Sequence, residues 1–171
     1  VRFQSEYMSQ SLSNEKLRAQ IHRMILSGDD FDEAEKYLLC FEQKLIDNEN
    51  IKRALLLAAI ISFARPFLKS EDHPKAISKL PKNVTRILND DERELHQKII
   101  SLRNQALAHS DYNCKPVTWS GGAENSFSFQ ASSFNLLSEE IDIRQFLLLT
   151  RKLKGYCFSK QFELNKRMIN N

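Results

Sequence analysis

Between Ser101 and Tyr112 the chain brings an arginine, amides, a histidine and an acid together, as Ser101-Leu102-Arg103-Asn104-Gln105-Ala106-Leu107-Ala108-His109-Ser110-Asp111-Tyr112. Histidine titrates near neutrality and is the commonest general acid or base. Arginine keeps its charge and forks onto phosphate oxygens, where it can stabilise developing negative charge. Asn104 adds an amide that both donates and accepts. Two such histidines facing each other can serve as base and acid when a ribose 2′-hydroxyl attacks the adjacent phosphate. That step requires no metal ion. These residue types therefore suit phosphodiester cleavage.

Spacing restricts how they can meet. Arg103 and His109 stand six positions apart, so on a straight helix they lie roughly 120° apart around the axis and about 9 Å apart along it. Convergence on one small group has two routes. The helix can end at Ala108 or His109, freeing the imidazole to turn back, or a second copy of the chain can complete the site across a two-fold axis. The plainer account is structural. A histidine at a helix C-terminus gains from the helix dipole, and a mid-helix arginine makes a surface ion pair. Spacing alone favours that account.

The elements that must position this stretch read as helices. Only 4 Gly and 4 Pro are present, so few, long elements are expected rather than a many-stranded sheet. A first helix is predicted from Ser13, with Leu17, Ile21, Met24 and Ile25 as its apolar stripe and His22 beside it. Ser27-Gly28-Asp29-Asp30 reads as a stop, and Asp30 with Glu33 as a capping box that opens a second helix to about Asp47. A third, from about Asn50 to Phe67, is apolar around most of its circumference and is expected to be the central one. It ends on Arg65 before Pro66. Arg65 suits the negative end of the helix dipole, or alternatively a place near the site. Residues 69–90 form a connector holding His73 and a short helical turn around Val84–Leu88. The fourth helix runs from Asp91 to about Ala108, with Leu95, Ile99, Leu102 and Ala106 inward. Residues 113–137 alternate polar and apolar around Ser120-Gly121-Gly122 and read as a small hairpin or ordered loop. Trp119, Phe127 and Phe129 of this insert are expected to pack on the helices or on a partner. Ser138-Glu139-Glu140 opens a last helix to about Met168, with Gly155 as its weak point.

Composition bounds the class. The 171 residues suit one domain, 42% apolar and 27% charged, an ordinary globular mixture. A net charge of +3 permits nucleic acid without demanding it. The densest basic runs, Arg151-Lys152-Leu153-Lys154 and Lys166-Arg167, read first as solvated helix faces. Three cysteines without a Cys-x-x-Cys pair argue against a disulfide framework or a thiolate zinc site and for a reducing, cytoplasmic compartment. Residues 1–16 are polar and carry acids, so no signal peptide is expected there. The longest apolar run, Ala54 to Ile61, is too short to cross a bilayer. No metal site and no cofactor are expected.

Leu102-Arg103-Asn104 followed by Ala108-His109-Ser110-Asp111, at the end of a helix in an all-α chain, resembles the signature of the HEPN superfamily, and in particular its abortive-infection branch. The resemblance covers residues 91–112 and reaches loosely to Phe63-Ala64-Arg65-Pro66-Phe67. It implies an all-α, HEPN-like up-and-down bundle of about five helices over residues 1–171, with the 113–137 insert before the last helix. It also implies a homodimer with the two motifs facing in a cleft, and a metal-independent endoribonuclease of phage defence or a toxin–antitoxin system. RNA would be the substrate and an antitoxin a further partner. On this chain His109 would be the acid/base, Arg103 the phosphate clamp and Asn104 the residue that positions them. Ser110, Asp111 and Tyr112 would be neighbours that orient His109. The same resemblance admits a non-catalytic module that binds a nucleotide, RNA or a protein. A third possibility is a helical interaction protein whose contact is the aromatic insert.

Overall fold

A computed structural model describes residues 2–43, 46–69, 77–107, 117–121, 127–131 and 135–170. Its framework is all-α: α1 (Arg2–Phe41), α2 (Glu49–Ala64), α3 (Asp90–Leu107) and α4 (Ile143–Ile169), with α1 packed chiefly on α4 and α2. Between α3 and α4, β1 (Val117–Gly121) and β2 (Phe127–Ala131) pair antiparallel with Trp119 opposite Phe129. The alternating insert thus forms a two-stranded ladder, as its period of two predicts. The packing expected of its aromatic side chains lies outside what is described.

The α-helices among the described residues number four rather than about five, because the break expected at Ser27–Asp30 does not occur. Ser27, Gly28, Asp30 and Glu33 instead face other partners inside the continuous α1. Ser27 donates its hydroxyl back to the Arg23 carbonyl at 2.7 Å, a buried bond one turn away. Gly28 is buried where α1 meets α4; a Cβ there would lie in ordinary contact, 3.9 Å from Cys157 Cβ and 4.0 Å from the Phe158 ring. Asp30 and Glu33 form no capping box and reach across to Arg65 instead.

Helix starts follow local capping chemistry. Asn48 Oδ1 accepts from the Asn50 and Ile51 N–H groups at the head of α2. The capping box of this chain stands before α3, where the Asn89 N–H donates to Glu92 Oε2 and the Glu92 N–H to Asn89 Oδ1, both at 2.8 Å. The last helix opens at Ile143 and not at Ser138. Asp142 Oδ1 accepts from the Gln145 N–H at 3.0 Å, and Leu136–Ser138 form a separate 3-10 turn. Two further 3-10 turns, Arg65–Phe67 and Lys82–Ile87, follow α2 and precede α3.

The core forms where three apolar stripes meet. Phe31, Ala34 and Leu38 of α1, Ala59, Ile60 and Phe63 of α2, and Phe146, Leu149 and Leu153 of α4 are all buried. Burial of α2 is graded rather than complete: Leu56 and Phe63 are buried, whereas Leu55, Leu57, Ala58 and Ile61 are half-buried. On either side of the α1 stripe the acids divide between neighbours. Asp32 and Glu35 take Lys154 Nζ at 3.0 and 2.6 Å, and Glu35 also takes Arg151 Nε at 2.7 Å. Lys152 ties α4 to Glu92 of α3 at 2.6 Å. The basic run Arg151–Lys154 is therefore spent on helix-to-helix ion pairs.

Gly155 sits exposed in the interior of α4, with nothing within 4 Å of where a methyl group would go. Gly155→Ala is therefore expected to stabilise the protein by about 1 kcal/mol, the propensity difference in a helix interior. Chemical denaturation checks this, and an unchanged or lower midpoint would contradict it.

Candidate functional site

Arg103 is placed by the inward face of α3. Ile99 and Leu102 are buried at 0% and 3% exposure, which fixes the helix rotation and leaves the next residue half-buried at the edge of the core. The Arg103 Nη1 donates to Asn104 Oδ1 at 3.2 Å, and its Nε is buried without a hydrogen-bond partner. Asn104 is exposed and accepts this bond from the guanidinium beside it. α3 remains helical to Leu107. His109, Ser110, Asp111 and Tyr112 lie outside the described residues, as does His73.

Arg65 follows the last turn of α2, where Pro66 ends the regular helix. Its Nη1 donates to Glu33 Oε2 at 2.6 Å and approaches Asp30 Oδ1 at 3.4 Å. Both Glu33 oxygens are engaged: its Oε2 also accepts the Ser62 hydroxyl at 2.8 Å, and its Oε1 the Tyr37 hydroxyl at 3.1 Å. The Ser62 bond leads the interactions that hold the Glu33 carboxyl below the usual carboxylate range. Burial acts the other way on Asp30 and pushes its carboxyl up, with Arg65 opposing.

These side chains share one cavity of about 690 Å³, lined by Arg23, Asp30, Glu33, Arg65, Lys69 and Arg103 among others. Two cations read separately from the sequence, Arg65 and Arg103, are thus brought to the same place from different helices. Arg23 was not legible as a site residue. It follows His22 beside the apolar stripe of α1 and reads as an ordinary boundary cation, yet it is only 6% exposed, and its Nε and Nη2 have no hydrogen-bond partner. Burial draws its guanidinium below the usual arginine range, and the charge of Asp30 opposes this. The signal that could have found it is its place one turn before Ser27, in the stretch of α1 that leads into the buried Phe31 stripe.

A second cavity, about 470 Å³ between α3 and α4, is lined by Asp91, Glu92, Glu94, Glu140 and Asp142 with Lys98. Its carboxylates repel phosphate, so a phosphodiester is better matched by the arginine cavity. Among the described residues no cluster of three His, Cys, Asp or Glu side chains could hold a metal ion, and no helix is long and apolar enough to cross a membrane. Cys40 and Cys157 are free thiols, and burial pushes the Cys157 thiol up to about 12. An unreactive, packed role follows for Cys157.

His96 was also missed by sequence reading. It lies on α3 with its ring 4.5 Å from Phe67 and 5.9 Å from Phe63, centroid to centroid, and its buried Nε2 has no partner. Burial holds this imidazole below its ordinary value of 6.5. The unfolded chain therefore takes up the proton first as pH falls. The stability contributed by neutral His96 is complete above about pH 6.5 and is lost progressively below it. Glu33, Asp32 and Glu35 are held low by their partners and lose their contribution only within and below the carboxylate range. Urea midpoints measured from roughly pH 5 to 7.5 should fall on the acid side, and His96→Phe should flatten that slope. An equal slope in the variant would remove His96 as its source.

Comparison with protein-family models, with curated proteins and with solved structures finds no match to this chain.

Proposed function

We propose that this protein is a metal-independent endoribonuclease of the HEPN type, with Arg103 as phosphate clamp, Asn104 as its positioning partner and His109 as acid/base. One observation carries the reading: Arg103, Arg65 and Arg23 line a single cavity at the end of the helix that leads to His109. Guanidinium groups that converge from separate helices suit a phosphodiester, whose charge they neutralise and whose oxygens they fork. The reading carries with it a HEPN-like bundle and a cytoplasmic setting in phage defence or a toxin–antitoxin pair. It also carries a homodimer in which the second copy supplies the facing histidine. Ser110, Asp111 and Tyr112 then orient His109. α4 leaves Phe158 and Phe162 exposed at 55% and 63%, apolar surface available to a second subunit or an antitoxin.

The test is incubation of the purified protein with RNA in the presence of a chelator. Cleavage with 2′,3′-cyclic phosphate ends is the expected result, and intact RNA would sink the proposal. A second reading, a non-catalytic module binding a nucleotide, RNA or protein, is favoured by a specific feature. Arg65 is already occupied by Glu33 and Asp30, which suits a site that exchanges ion partners on binding. That reading expects ligand binding without turnover.

A further inference from the structure

Three features of the arginine cavity point past Arg103 to Arg23. The guanidinium of Arg23 is buried, and neither Nε nor Nη2 is hydrogen-bonded. A buried charge without partners is unfavourable enough that proteins normally resolve it with a counter-ion or a ligand. Asp30, the acid whose charge acts on Arg23, is engaged only at 3.4 Å and by Arg65. Of the other two acids on this cavity, Glu33 has both oxygens engaged and Asp29 is exposed to solvent. The charge of Asp30 acts on Arg23, but no carboxylate hydrogen-bonds its Nε or Nη2, and the Nε of Arg103 is likewise an orphan donor on a residue that lines the same cavity.

We propose that this cavity binds a phosphate group, with Arg23 as its most deeply held cation, Arg103 as the second donor, and Asp30 as a built-in competitor for Arg65. The Arg23 Nε and Nη2 are covered by protein, so engaging the anion turns the guanidinium toward the cavity. That rotation breaks no hydrogen bond at these two nitrogens, because they make none. Arg65 then leaves Asp30, its longer contact, and keeps Glu33, its shorter one. The inference deepens the ribonuclease reading and rests on it for the source of the phosphate, an RNA backbone. The anion site itself follows from the cavity.

The experiment is calorimetric titration of the full chain with sodium pyrophosphate, a 5′-mononucleotide and a short single-stranded oligoribonucleotide carrying 2′-O-methyl groups to block cleavage. Wild type, Arg23→Met and Asp30→Asn are compared. Arg23→Met is expected to weaken binding about ten- to a hundredfold, the loss of a hydrogen bond to a charged group. Asp30→Asn is expected to strengthen it, by removing the competitor. Arg23→Met should melt no lower than wild type without ligand, since it removes an unpaired buried charge, and should lose the ligand-induced rise in Tm. Arg23-dependent binding of the oligonucleotide alone assigns the RNA backbone as the source. Equally tight Arg23-dependent binding of pyrophosphate or the mononucleotide assigns a small phosphate. No binding of any probe, or binding indifferent to Arg23→Met, overturns the proposal. Should Arg23→Met fail to fold, unchanged affinity in Asp30→Asn overturns it as well. The two readings fail separately. Cleavage of RNA with Arg23 irrelevant sinks the anion site alone, and Arg23-dependent binding without cleavage sinks the ribonuclease alone.

Discussion

His109→Ala is expected to slow RNA cleavage by roughly 10²- to 10⁴-fold, the span contributed by a positioned general acid or base. The reason is chemical. No other side chain between Arg103 and Tyr112 exchanges a proton near neutrality. The leaving 5′-oxygen needs a proton as much as the attacking 2′-hydroxyl must lose one. If facing histidines divide these tasks, the rate against pH is bell-shaped in wild type and loses that shape in the variant. Arg103→Ala should slow cleavage as well, and Arg103→Lys should recover only part of the loss, because a point charge does not reproduce the fork. The double variant should be much less impaired than the product of the two single losses, since both residues serve one transition state. Binding of blocked RNA should survive His109→Ala. Cleavage by His109→Ala at the wild-type rate would remove this residue from the chemistry, and binding without turnover by wild type would leave the module reading in its place.

The framework was legible because burial writes itself into periodicity. Ile99 and Leu102, Phe146 and Leu153, Phe31 and Leu38 are spaced by helical turns and are buried as that spacing requires. What misled were residues with two physical uses. Ser27, Gly28, Asp30 and Glu33 are a stop and a cap when read along the chain. The contacts of Gly28 and the two acids come from α4 and from Arg65 just past α2, which local sequence does not contain. Once α1 continues through them, Asp30 and Glu33 face Arg65 while Asp32 and Glu35 face Lys154, and the acid run becomes the device that holds two helices on one. The candidate site was legible where residue type announces chemistry, as at Arg103 and Arg65. It was hidden at Arg23 and His96, because a cation or an imidazole on an amphipathic helix reads the same whether its neighbours cover it or not. Only the packing of the other helices distinguishes these cases.

Phe63→Ala is expected to cost about 3–5 kcal/mol, the usual range for emptying a buried aromatic site, and to lower Tm by on the order of 10 °C for a chain of this length. Phe63 is fully buried, and its ring meets Phe31 of α1 at 5.6 Å, Phe146 of α4 at 5.1 Å and His96 of α3 at 5.9 Å. One side chain therefore joins all four long helices, and no single neighbour can move in to refill the space without drawing away from another. Phe67, half-buried at the rim of the same cluster, should cost less when shortened to alanine, because part of its ring already faces solvent. The position also connects stability to the site. Phe63 stands two residues before Arg65, and Phe31 stands between Asp30 and Asp32, so the aromatic contact sets the distance across which Arg65 reaches Glu33 and Asp30. Below its melting range the Phe63→Ala protein should still bind pyrophosphate more weakly than wild type, because the arginines are held less firmly in register. Urea denaturation and titration at low temperature read the two effects separately. A cost under about 1 kcal/mol would mean that the helices are joined elsewhere. A full cost with unchanged anion affinity would mean that the cavity is held by its ion pairs rather than by the ring beneath them.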